Sequence, residues 1–140
     1  MTSRACTIDV TNDLDELARV QTAIQNFSRS NALDDQAQHT LLLVVEELFV
    51  NIVRHGYEQA AADTVTIGIS VMDDGRLRLE IHDQSEPFDV SKPPPSPEEV
   101  SLEDMKVGGL GVFLVHQLAR QISWERRDGI NRTQVVLDGI

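Results

Sequence analysis

Glu47, Asn51 and His55 stand four residues apart in the run Leu41 to Tyr57, LLLVVEELFVNIVRHGY. On a helix, that spacing stacks a carboxylate, an amide and an imidazole along one face. Such a row can accept and donate hydrogen bonds and carry a proton. The run around it is apolar on almost every side and free of Pro, which predicts a buried helix. Polar groups buried there need partners, because an unpaired buried charge is very costly. Those partners are either other side chains or a bound ligand, and the helix alone leaves both open.

Two further stretches carry chemistry. Asp83 ends an alternating run and shares the face of Leu77, Leu79 and Ile81. A carboxylate aimed at the core side of a strand end wants a hydrogen-bond donor, though a turn or cap explains an isolated Asp equally well. Gly108-Gly109-Leu110-Gly111 opens into Val112, Phe113, Leu114 and Val115. A glycine-rich turn entering a helix lets backbone approach an anion at the positive end of the helix dipole. Packing alone is the other reading. No Gly-Lys-Ser/Thr ends the turn, so it is not a P-loop.

The elements that must position these residues follow from periodicity. Arg4 to Val10 alternates and predicts a strand with Cys6, Ile8 and Val10 inward. Thr11 and Asn12 serve as caps, with Asp13, Asp15 and Glu16 in the first turn of a helix. Leu14, Leu17, Ala18, Gln21, Ile24 and Phe27 give that helix its spacing to about Ser30, with Arg19, Gln25 and Arg29 outside. Asp34 caps the central helix, which runs to about His55 and stops at Gly56. Thr64 to Met72 and Arg76 to Asp83 alternate around the turn Asp73-Asp74-Gly75. Residues 84–107 hold all five prolines and no periodicity, which reads as a lid, a binding loop or a disordered segment. Ile122 to Arg127 and Arg132 to Leu137 make a closing hairpin around residues 128–131, with Trp124 covering one side of the sheet.

Composition narrows the class. A chain of 140 residues fits one domain, and 41% hydrophobic residues suffice for a core. The net charge of -11 repels nucleic-acid phosphates and anionic lipid, so neither is an expected partner. The single Cys6 permits no internal disulfide, in keeping with a reducing compartment. No apolar run reaches membrane length and MTSRACTIDV has no signal-peptide core, so the expected place is the cytoplasm. Four His and one Cys show no zinc spacing.

In their order along the chain, these stretches resemble the GHKL ATPase superfamily, which shares the Bergerat nucleotide-binding fold. They are closer still to the anti-sigma factor serine/threonine kinases of bacterial partner-switching systems. EELFVNIVRHGY resembles that family's N box, IHDQSEPFD its first glycine box, GGLGVFLVHQLAR its second, and SWERRDGINRTQVVL its closing hairpin. The resemblance covers nearly the whole chain. It implies a single histidine-kinase-like ATPase domain, an α/β two-layer sandwich. A mixed, mostly antiparallel sheet would be covered on one face by three helices, with an ATP lid over residues 84–107.

The resemblance also implies roles. Asn51 would bind Mg2+ through its amide oxygen, and Glu47 would be the general base. Asp83 would accept a hydrogen bond from the adenine amino group of ATP, supported by Thr133. Gly108, Gly109, Leu110 and Gly111 would close on the phosphates. Lys106 is the nearest cationic candidate for a phosphate, or an ordinary surface lysine. His55 lines the phosphate end or hydrogen-bonds at the helix terminus. Glu46, about 100° around the helix from Glu47, falls outside the site. The implied phosphoacceptor is an anti-sigma factor antagonist of the STAS type. The implied second partner is a sigma factor or other regulator, released or sequestered in turn, and homodimers are common in such families. Ser85 and Pro87 stand where the family's first box has glycines, and side chains there would crowd the purine edge. That departure keeps an alternative: a catalytically weak or inactive nucleotide-binding module that regulates by sequestering a partner.

Overall fold

The computed structural model describes residues 4–55, 63–92 and 110–139. Strands form at Ala5–Thr11 (β1), Thr64–Val71 (β2), Leu77–Asp83 (β3), Gln121–Arg127 (β4) and Ile130–Leu137 (β5). Helices form at Leu17–Ser30 (α1), Asp35–His55 (α2) and Leu110–Leu118 (α3). The strands lie in one sheet in the order β1-β2-β3-β5-β4. Among the described residues the four pairings are all antiparallel, where the resemblance implied a mixed, mostly antiparallel sheet. The reason is topological. The chain crosses over through α3 before β4, so β4 runs in the direction of β3. β5 then folds back between them and removes the one parallel contact the order would otherwise allow.

Strand parity separates two faces. Val65, Ile67, Ile69, Leu77, Leu79, Ile81, Val135 and Leu137 point one way and are fully or almost fully buried. Against them pack Val20, Ile24 and Phe27 of α1, and Leu41, Val44, Val45, Leu48 and Phe49 of α2, in one core. Each such side chain contributes about 1.5–3 kcal/mol by leaving water. The intervening positions Glu80, His82, Glu125 and Arg132 face solvent. The result is the two-layer α/β arrangement the sequence implied.

Local chemistry sets the boundaries. Asp34 caps α2 as expected, its Oδ1 accepting from the Ala37 N–H at 2.7 Å. Ahead of α1, Asp13 caps a single 3-10 turn at Leu14–Glu16, accepting from the Asp15 N–H, and α1 follows from Glu16 with no side-chain cap. Thr11 is instead the last residue of β1, and Asn12 is spent on β2, its Oδ1 accepting from the Asp63 N–H. The buried stripe of α1 includes Val20, while Ala18 is exposed. Gly75, at φ 88°, closes the first hairpin, with the Met72 N–H donating to the Arg76 carbonyl. Asp128 and Gly129, at φ 55° and 77°, form the left-handed pair of a two-residue hairpin loop. So tight a loop ends two residues earlier than expected, and it draws Ile130 and Asn131 into β5. Cys6 packs half-buried against the core, and desolvation raises its thiol pKa. Among the described residues, no helix is long and apolar enough to cross a membrane.

Candidate functional site

The site begins with the parity of β3. Ile81 and Asp83 share the core face, so the strand carries its last side chain into the space between sheet and helices. Asp83 is 3% exposed, and its register partner across the ladder is Asn131, also 3% exposed. Two strands that meet 48 residues apart in sequence thus end on a carboxylate facing an amide. The Asn131 Nδ2 donates to Asp83 Oδ1 at 3.1 Å. The Ser85 N–H donates to the same oxygen at 3.0 Å, and the Ser85 hydroxyl donates to it as well.

Ser85 therefore does not stand idle in a glycine's place. Its hydroxyl turns back onto Asp83, and the residue is buried at 5% exposure. The carbonyls that follow are held too: Asn131 Nδ2 lies 3.0 Å from Ser85 O and 3.3 Å from Glu86 O. Arg126 donates to Ser85 O at 2.9 Å and to Asn131 Oδ1 at 3.0 Å. Trp124 Nε1 donates to Asn131 Oδ1 at 3.2 Å.

A pocket opens beside this network. Asp83, Ser85, Asn131 and Thr133 give it a polar wall from the sheet side. Leu48, Asn51 and Ile52 line it from α2. Ile81, Val90 and the ring of Phe88 supply apolar surface, and Phe88 is 53% exposed at the rim. An apolar cavity with a few convergent polar groups is the usual form of a small-molecule site. The segment carrying Phe88 is anchored from α3, where His116 Nε2 hydrogen-bonds the Val90 carbonyl at 2.7 Å.

Asn51 and Glu47 sit one turn apart on α2, both half-buried. Among the described residues neither side chain has a hydrogen-bond partner, so within that set the Asn51 amide oxygen on the pocket wall and the Glu47 carboxylate are uncommitted. Glu47 is not part of the pocket lining. It lies against Gly111 in the first turn of α3, where a Cβ would overlap its carboxylate and come within 3.2 Å of Cδ. Only glycine leaves the Glu47 carboxylate where it stands against that helix. Among the described residues, no group of three His, Cys, Asp or Glu side chains could hold a metal. Magnesium does not need one, since it keeps waters and is commonly held by one or two protein oxygens plus phosphates. The uncommitted Asn51 oxygen fits that role.

The structure thus brings Asn51, Asp83 and Thr133 to one pocket, and sets Glu47 one turn away against Gly111. Thr133 lines the pocket, but the hydrogen bonds to Asp83 come from Ser85 and Asn131. Gly108, Gly109, Lys106 and the side chains of His55 and Leu110 lie outside the described residues. Glu46 is turned toward α1, accepting from Gln21 Nε2 at 2.7 Å, and stays out of the site. Asn131, Arg126 and Ser85 were not singled out as site residues by the sequence. The available signal was Asp128-Gly129, whose tight turn fixes the register that sets Asn131 opposite Asp83.

Residues 10–137 match the sequence model of the histidine kinase-like ATPase domain family. A serine-protein kinase RsbW of Staphylococcus epidermidis is 26% identical over 114 residues, covering 78% of this chain and 70% of that protein. A crystal structure of the RsbU and RsbW domains of a Mycobacterium tuberculosis protein superposes with a TM-score of 0.70 at 12% identity. That match covers 98% of this chain, which spans only 33% of the other. A SiaB-SiaC complex from Pseudomonas aeruginosa gives a TM-score of 0.67 at 13% identity, over 96% of this chain and 90% of that one. At such identities the two structures speak for the fold.

Proposed function

The chain belongs to the histidine kinase-like ATPase domain family, and on that premise we propose that it is an ATP-dependent protein serine/threonine kinase of a partner-switching system. Its substrate is an anti-sigma factor antagonist of the STAS type, and its second partner is a sigma factor or other regulator, released or sequestered as the antagonist is phosphorylated. The observation that carries this reading is the convergence on one pocket of Asp83, Thr133 and an uncommitted Asn51, with Glu47 one turn away. The name of the Staphylococcus epidermidis relative supports the choice of serine as acceptor.

Each residue has a task. Asp83 accepts a hydrogen bond from the amino group of the adenine, and Leu48, Ile52 and Ile81 bury the flat ring. Asn51 offers the hard oxygen that magnesium prefers; when bound, the ion would shield phosphate charge during transfer. Glu47 takes the proton of a serine or threonine hydroxyl as its oxygen attacks the γ-phosphorus. The bond from the γ-phosphorus to the bridging oxygen breaks, releasing ADP. On the same reading Gly108, Gly109, Leu110 and Gly111 close on the phosphates, since a helix N-terminus favours an anion. Lys106 and His55 belong to the phosphate end on the same reading. The kinase works in the cytoplasm on this reading, and a homodimer is the family form to test for.

The test uses γ-labelled ATP, Mg2+, this chain and a STAS-type antagonist. Label should move to a serine or threonine of the antagonist, and Mg-ATP should raise the melting midpoint as its concentration passes Kd. A midpoint that does not move at roughly millimolar nucleotide would refute nucleotide binding. A rise without transfer would instead support the silent binding module, which the uncommitted Glu47 carboxylate disfavours.

A further inference from the structure

Asn131 is an expensive residue to bury. At 3% exposure, an apolar side chain would meet the packing need without any demand for hydrogen bonds. Asn131 instead meets every demand it makes. Its two N–H groups serve Asp83 Oδ1 and the carbonyls of Ser85 and Glu86. Its own oxygen accepts from Trp124 and Arg126. With Arg126 it ties β4, β5 and the residues after β3 into a single polar network.

The distribution of bonds on Asp83 gives that network a purpose. Ser85 N–H, Ser85 O–H and Asn131 N–H all land on Oδ1. Oδ2 accepts from no described residue, and Asp83 lines the pocket. A carboxylate held through one oxygen cannot turn freely about its last bond. Its second oxygen is then presented as a fixed, acceptor-only point. Such a point favours a ring bearing an amino group and opposes one bearing a carbonyl, whose lone pairs it would meet.

We propose that Asn131 is a positioning residue for base selection: it fixes Asp83 through Oδ1, with Arg126 bracing it from the surface, so that the pocket prefers a 6-amino over a 6-oxo purine. The proposal rests on the nucleotide-binding reading above and adds to it a wall residue whose amide is spent on Asp83 and the loop after it. It also supplies its own reporter. Trp124 is the single tryptophan of the chain, and its indole N–H bonds Asn131. Asp83 is therefore two hydrogen bonds from the fluorophore, and a ligand that engages it is three.

The experiment compares Mg-ADP with Mg-IDP, which differ at the purine 6 position, by calorimetry and by Trp124 emission. The parent should bind ADP with a saturable change in emission, and more tightly than IDP. Loss of a hydrogen bond to a charged group is worth about tenfold or more in affinity. Asn131→Ala should weaken ADP by about that factor and bring the ADP-to-IDP ratio toward one. Arg126→Ala alters only an exposed side chain and should lower the same ratio by a smaller factor, with the circular dichroism spectrum unchanged. A ratio that stays at the parental value in Arg126→Ala and in any folded Asn131→Ala protein overturns the proposal and leaves Asn131 a structural residue. A parent that binds neither nucleotide removes the underlying reading, and the proposal with it.

Discussion

Gly111→Ala separates chemistry from stability. A methyl group there would overlap Glu47 Oε2 and lie 3.2 Å from Cδ, while Glu47 Cβ stays at 3.7 Å, an ordinary contact. What must give way is the far end of a flexible side chain, so the carboxylate retreats on the order of 1 Å to regain normal contact. The fold loses little, and Ala in place of Gly in a helix is worth up to about 1 kcal/mol. The melting midpoint should therefore hold or rise. Phosphoryl transfer should not hold, because a displacement of about 1 Å at a catalytic group can reduce the rate about 100-fold. That equals about 2.7 kcal/mol of barrier. The assay is single-turnover transfer of label to the antagonist, run as a cycle with Glu47→Ala. In the Glu47→Ala background the added methyl meets no carboxylate, and Gly111→Ala should cost nothing further. Equal losses in both backgrounds would refute the reasoning and place the effect of Gly111 elsewhere. Undiminished transfer in the single variant would refute the role of Glu47 as base.

Two further outcomes follow from the same structure. Asn51→Ala should remove the magnesium-dependent increment of ADP affinity, measured by calorimetry with Mg2+ and then with chelator; an increment equal to the parent's excludes Asn51 as the metal ligand. Desolvation raises the Cys6 thiol, so less of it is thiolate at neutral pH than in a free thiol. Iodoacetamide should label it slowly in the folded chain and faster in denaturant, and equal rates would contradict the burial.

Much of the fold was legible because strand parity and helical spacing are strong local signals. The central helix could be read at its start, an Asp at the cap before an apolar run that is helical as far as His55, while the expected stop at Gly56 lies outside the described residues. The helix start before Leu17 was misread because Thr11, Asn12 and Asp13 are all good caps by type. Only the tertiary pairing of Asn12 with Asp63 decides among them. Asp83 was legible through parity, and Asn51 and Glu47 through their spacing of four. Asn131 was not, since it was assigned to the turn. Its importance depends on which strand lies beside β3, and nothing within 48 residues of sequence states that β5 and not β4 takes that place.

That same strand order explains why the site tolerates a serine where a glycine is expected. In a loop left to itself, a side chain after Asp83 would project wherever its backbone allowed. Here the ladder between β3 and β5 runs to its last pair at Asp83 and Asn131, so the loop leaves the sheet already beside a fixed amide. Asn131 and Arg126 take the carbonyls of Ser85 and Glu86, which sets the backbone, and Asp83 Oδ1 then draws in the hydroxyl. The extra side chain is absorbed into the wall of the pocket, and the demand for glycine is met by hydrogen bonding. On this argument Ser85→Gly in the parent should weaken ADP, measured by calorimetry, less than Asn131→Ala does, because Asn131 still holds Asp83 Oδ1. The same change beside Asn131→Ala should be harmful, because the loop would then have neither its tether nor its hydroxyl.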